Sequence, residues 1–118
     1  MATKDELGKR GEALACVWAE RRGWRVGDRN WRGPGGEREV IAWDGDTLVA
    51  VEVKTRSSLA YGSPFEAITP VKIRRLRSLV GSWLAENEVR AQHVRIDALA
   101  VVWPSGRTPQ VMHEAGVG

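Results

Sequence analysis

Two runs of alternating residues, 37–43 and 48–54, flank an Asp44-Gly45 turn signal. Alternation with period two is the pattern of a half-buried strand, so the pair predicts a β-hairpin. Along the first strand Glu37, Glu39, Ile41 and Trp43 face one way and Arg38, Val40 and Ala42 the other. Along the second, Leu48, Ala50, Glu52 and Lys54 share one face, and Val49, Val51 and Val53 share the opposite one. A two-residue turn at Asp44-Gly45 sets Glu39 opposite Ala50 and diagonal to Glu52. A four-residue turn from Asp44 to Thr47 sets Glu39 directly opposite Glu52. Either even length leaves both carboxylates on one face.

Helical spacing marks two further segments. Residues 4–22 carry Leu7, Leu14 and Trp18 on one stripe, with Thr3 and Glu6 at capping-box spacing and Gly23 as a stop. Gly8, Glu12, Ala15 and Ala19 line one flank of this helix. Small residues around a single carboxylate suit close approach to another element or to a ligand; a solvated helix charge is the plainer alternative for Glu12. The second helix begins after Thr69-Pro70 and fades near Asn87, with Ile73, Leu76, Leu79, Val80, Trp83 and Leu84 as its apolar stripe.

The remaining elements are shorter. Residues 24–32 suggest an irregular strand, and 33–36 form a Gly/Pro loop without a complete phosphate-loop motif. Residues 55–64 form a loop, 94–102 a strand, 103–106 a turn and 109–113 a final edge strand. With 118 residues the chain suits one domain, 1–118, of α/β class.

Charge adds little by itself. The net charge of +3 is compatible with nucleic acid without establishing it. Its distribution is more informative, because Lys72, Arg74, Arg75 and Arg77 crowd the first half of the second helix, where the macrodipole disfavours cations. They suit phosphate contacts, as do Arg25, Arg29 and Arg32, interleaved with Trp24 and Trp31; solvated basic surfaces are the alternative. The one cysteine, Cys16, has no disulfide or metal-ligand companion and fits a small apolar helix residue. His93 and His113 fit structural or surface roles. The charged N-terminus shows no signal peptide and no apolar run reaches membrane-span length, so the expectation is a cytoplasmic protein without a membrane partner.

The chemistry these residues support is metal-dependent phosphodiester hydrolysis. Glu39 and Glu52, with a backbone carbonyl such as that of Val53, are hard oxygen ligands for Mg²⁺ or Mn²⁺. Lys54 would position the attacking water or offset phosphate charge. A surface ion-pair ladder gives the same Glu-x-Lys spacing, so that spacing alone decides nothing.

The ordered set of motifs is more specific. Gly11-Glu12, Arg29-Asn30, Gly36-Glu37, Val51-Glu52-Val53-Lys54, Lys72 and Arg95-Ile96-Asp97 resemble, over nearly the whole chain, the YraN family of bacterial proteins. That family is similar to archaeal Holliday-junction resolvases within the PD-(D/E)xK nuclease superfamily. The resemblance implies a restriction-endonuclease-like mixed sheet of about five strands flanked by helices. It implies active-site positions for Glu12, Glu52 and Lys54, a DNA substrate that includes branched DNA, and a homodimer. One position departs: the family usually has Asp where this chain has Glu39, adding a methylene and a torsion to the ligand. Two alternatives follow, a non-catalytic nucleic-acid-binding module on a nuclease fold, and a protein-interaction domain using a tryptophan such as Trp31 or Trp103.

Overall fold

The computed structural model describes residues 3–31, 38–60 and 62–118. Arg32, the 33–36 loop and Glu37, with the side chains of Asn30 and Trp31, lie outside the described residues. The elements run α1 (Lys4–Arg21), β1 (Arg25–Trp31), β2 (Arg38–Asp44), β3 (Thr47–Arg56), a 3₁₀ turn (Pro64–Ala67), α2 (Pro70–Glu86), β4 (His93–Val102) and β5 (Gln110–Glu114). The five strands make one sheet in chain order, antiparallel except for the β3–β4 pair. A parallel pair needs a crossover, and α2 supplies it.

Both helix starts follow the sequence. The Thr3 hydroxyl accepts from the Glu6 N–H at 3.1 Å, and the Thr69 hydroxyl from the Lys72 N–H at 3.2 Å. Each satisfies a donor that the first helical turn otherwise leaves open. At the other end of α1, Gly23 takes φ +83°, and its N–H donates to the Glu20 carbonyl.

The two helices cover opposite faces of the sheet. Ala15, Cys16 and Ala19 of α1 pack with Val40, Ala42, Val49, Val51, Val53, Leu99 and Val101. Leu76 and Val80 of α2 pack with Ile41, Leu48, Ala50 and Ile96. These are the two parities expected of β2 and β3. The apolar stripe assigned to α2 is its buried side. The stripe assigned to α1 is not: Gly8, Gly11, Glu12, Ala15, Cys16 and Ala19 are buried, while Leu14 and Trp18 sit at the margin. The cause is proximity. A Cβ on Gly11 would lie 1.8 Å from the Thr55 hydroxyl oxygen, so this helix lies against β3 on its smallest residues.

The hairpin turn is Gly45-Asp46, closed by an Asp44–Thr47 pair, one residue beyond the Asp44-Gly45 placement. Gly45 takes φ +62° at the first central position, where a primed turn requires it. The register that results is the one a four-residue turn from Asp44 to Thr47 implies, and Glu39 faces Glu52. The irregularity expected in β1 is a bulge at Gly27: Val26 pairs with Ala42 and Asp28 with Ile41. A Cβ at Gly27 would meet the Trp83 ring at 3.2 Å, so the bulge is also where α2 comes nearest to β1.

Candidate active site

The β2–β3 register creates a rung of two carboxylates. Glu39 and Glu52 are direct cross-strand partners, 0% and 1% exposed. Burial of two acids on one rung is unfavourable unless positive charge or strong donors accompany them. An arginine from α2 reaches the rung: Arg75 Nη2 donates to Glu39 Oε1 at 3.3 Å. Lys54 lies two residues beyond Glu52 and, by strand alternation, on the same face. Val53 points the other way, into the α1-side core, so only its backbone carbonyl is available toward the rung.

Glu12 is elsewhere. It rides on α1, against the opposite face of the sheet, and is 9% exposed. Its Oε1 accepts from Arg29 Nε at 3.1 Å, and its Oε2 is buried with no hydrogen-bond partner among the described residues. Arg29 pairs with Val40 in the sheet and therefore belongs to that same face. Glu12 with Arg29, and Glu39 and Glu52 with Arg75, are thus two centres separated by the sheet. Among the described residues no group of three or more His, Cys, Asp or Glu side chains is placed to hold a metal. A pair of carboxylates suits Mg²⁺ or Mn²⁺, hard ions that keep several waters and need few protein ligands; it does not suit zinc or a full calcium cage.

The basic residues divide in the same way. Lys72, Arg74 and Arg75 are in the first turns of α2, with Arg74 and Arg75 exposed, on the side of the Glu39–Glu52 rung. Arg29 is on the α1 side, and Arg32 lies outside the described residues. At the mouth of the hairpin, Arg38 pairs with Val53 in the sheet, is 5% exposed, and donates to Asp5 of α1 at 2.8 Å.

A fourth buried acid has a different character. Asp97 on β4, 0% exposed, accepts from Arg95 Nε at 2.8 Å, Arg95 Nη2 at 3.0 Å and the Gly116 N–H at 3.0 Å, and lies 2.8 Å from His113 Nε2. Trp18 and Trp24 stand edge-on to the His113 ring. Burial alone would push the Asp97 carboxyl up. The hydrogen bonds from Arg95, Gly116 and His113, with the Arg95 charge, outweigh burial and hold it below the ordinary carboxylate value. The bond to Asp97 and its charge, with those of Asp44, which accepts from Arg95 Nη1 at 3.2 Å, raise Arg95 against the lowering effect of its own burial. His113 is therefore structural, one of the two roles the sequence left to it. The Arg95/Asp97 spacing of two on one strand face signalled the pair; nothing local signalled its partners on β5 and the C-terminal segment.

Buried Cys16 agrees with its reading as a small apolar helix residue, and burial raises its thiol.

Two helices on opposite faces of a five-stranded mixed sheet, with an acidic rung on the central hairpin, define an α/β protein of restriction-endonuclease-like architecture. Residues 11–101 match the model of "Uncharacterised protein family UPF0102". The chain belongs to that family, UPF0102 (YraN), as the ordered motifs implied. It is similar to UPF0102 proteins of Renibacterium salmoninarum (52% identical) and Beutenbergia cavernae (51%), each over 118 residues and the whole of both chains. A UPF0102 protein of an Arthrobacter species is 48% identical over the same extent. No helix among the described residues is long and apolar enough to cross a membrane.

Proposed function

We propose that this chain is a Mg²⁺- or Mn²⁺-dependent DNA endonuclease, with branched DNA among its substrates and a homodimer as its working form. The observation that carries the reading is the Glu39–Glu52 rung: two buried acids, directly opposed, with Lys54 on the same face. Glu39, Glu52 and the Val53 carbonyl would hold the ion. When bound, it acidifies a water and offsets charge on the phosphodiester. Lys54 orients the attacking water or neutralises charge that builds on the phosphorus oxygens. Arg75, held beside Glu39, is placed to bind a non-bridging phosphate oxygen, and Lys72 and Arg74 on the same helix contact neighbouring phosphates. Glu12 lies across the sheet from the rung, paired with Arg29, and has no direct part in this scheme.

The test is metal-dependent cleavage of junction, flap and linear DNA by wild type and Glu52→Gln. The reading expects cleavage by wild type, none in EDTA, and a loss of about a thousandfold in the variant, ~4 kcal/mol of barrier. Equal cleavage by both proteins would remove the rung from the mechanism.

One observation favours a second reading. Arg75 already meets Glu39, and glutamate stands where the family usually has aspartate, so the rung also suits a non-catalytic nucleic-acid-binding module. That module binds DNA in a salt-dependent manner, without metal and without cleavage.

A further inference from the structure

The face that carries Lys54 continues across the sheet to an open concavity. Lys54 pairs with Ala100, which pairs with Met112; one rung further, Arg56 pairs with Val102 and Val102 with Gln110. Beyond that rung lies a concavity of about 550 Å³ lined by Val102, Pro104, Gly106, Arg107, Thr108 and Gln110. Its lining has one guanidinium, one amide and one hydroxyl, and no carboxylate. The concavity between α2 and β1, about 420 Å³, is different: Asp28 and Glu86 line it together with Arg75. An anion is repelled by the second and not by the first.

The turn that presents Arg107 is fixed. The Arg107 N–H donates to the Pro104 carbonyl at 3.1 Å, and Gly106 takes φ +71°, the glycine position of a type II turn. The Trp103 N–H donates to the Arg56 carbonyl at 2.7 Å, tying the turn to the end of β3. Arg10 of α1 stacks over the Trp103 ring at 4.2 Å, adding a cation on the turn's other side. Arg56 Nε is buried with no hydrogen-bond partner among the described residues, a donor left open at the edge of this region. From β3 to β5 is two strand spacings, about 10 Å, a span of roughly one to two phosphates along a strand.

We propose that this concavity binds a backbone phosphate of the DNA strand about one or two nucleotides from the scissile bond, with Arg107 as the principal contact and Thr108 and Gln110 as supporting donors. The proposal rests on the nuclease reading for the strand's path. It adds a second anchoring point toward the β5 edge of the sheet. A strand held at both points is fixed in register and direction across the Glu39–Glu52 rung.

The test measures binding without turnover. The full chain is titrated against fluorescein-labelled duplex and four-way-junction DNA by anisotropy, in EDTA, from about 50 to 200 mM salt. Arg107→Gln is compared with Arg107→Glu, each checked for an unchanged unfolding midpoint, since Arg107 is exposed on a turn. Arg107→Gln should weaken binding about threefold to tenfold at the lowest salt and make the slope of log K against log salt shallower by about 0.9, one phosphate contact. Arg107→Glu should weaken it further. If both variants keep wild-type affinity and slope while Lys72→Ala or Arg74→Ala loses affinity, the concavity is not a phosphate site and the nuclease reading stands. If the wild type binds neither DNA, both readings fall. If Arg107→Gln still loses affinity and slope when combined with Glu52→Gln, which does not cleave, the concavity is supported independently of catalysis.

Discussion

Asp97 and the Glu39–Glu52 rung are both buried acids on the central sheet, and they differ in how their charge is answered. Asp97 collects two hydrogen bonds from one arginine, one from a backbone N–H and a histidine at 2.8 Å, all from this chain. Such an acid is complete. It fastens β4, β5 and the residues after them, where the Val117 N–H also donates to the Ile96 carbonyl at 2.8 Å. The rung instead opposes two like charges across one strand pair, with Lys54 beside them and Arg75 reaching in from a helix. Burial therefore does not distinguish a site from a staple. The difference lies in one carboxylate gathered by three residues against two carboxylates set on a single rung.

Exchanging the two acids' roles breaks this comparison most sharply. Glu52→Gln should cost about a thousandfold in cleavage rate, ~4 kcal/mol, yet shift folding stability by no more than about 1 kcal/mol, since it relieves a like-charge pair. Chemical denaturation alongside the cleavage assay reads both. A variant that unfolds easily and retains its rate per folded molecule would make the rung structural.

Asp97→Asn should do the reverse. It breaks the charge-assisted bonds from Arg95, Gly116 and His113 and leaves half-buried Arg95 with Asp44 as its remaining anion, so stability should fall by roughly 2 kcal/mol, while cleavage per folded molecule stays near wild type. The sign with pH follows from the depressed Asp97 carboxyl. Its contribution is whole above the unfolded carboxylate value, about pH 4, and is lost as pH falls through the lower folded value. Urea midpoints from pH 6 down to pH 2 should therefore drop less steeply below about pH 4 in the variant. Parallel acid limbs would show that Asp97 is not held below its ordinary value.

A smaller effect sharpens the metal ligand itself. Glu39→Asp shortens the carboxylate opposite Glu52 by one methylene, and its rate should stay within about tenfold of wild type, ~1.4 kcal/mol. Single-turnover cleavage in Mg²⁺ and in Mn²⁺ checks this. A loss as deep as that of Glu52→Gln would mean that the site is built around the longer carboxylate.

Much of the architecture was legible because it is written in local periods. Alternation predicted the hairpin and the faces of its residues, and Thr3, Thr69 and Pro70 marked the helix starts. The α1 stripe misled because large apolar residues usually define the buried side; here the constraint was the distance to Thr55, which only Gly11 permits. The turn placement was one residue off because Asp44-Gly45 and Gly45-Asp46 are both acceptable turn dipeptides, and only pairing down the ladder decides between them. The paired carboxylates were legible for the same reason as the hairpin. Their arginines were not: Arg29 is 17 residues from Glu12, and Arg75 is 36 from Glu39, so each pair exists only once sheet and helices are packed. The separation of Glu12 from Glu39 and Glu52 is likewise a fact of layers, since α1 covers one face and the rung lies on the other.

The central claim is that the Glu39–Glu52 rung holds a divalent metal. Crystals of the wild type soaked in Mn²⁺ and measured at the manganese edge test it most directly. The account predicts an anomalous peak bonded to an oxygen of Glu39 and an oxygen of Glu52, absent from crystals of Glu52→Gln. No peak at the rung, with Arg75 still on Glu39 and Lys54 ion-paired to Glu52, would contradict it.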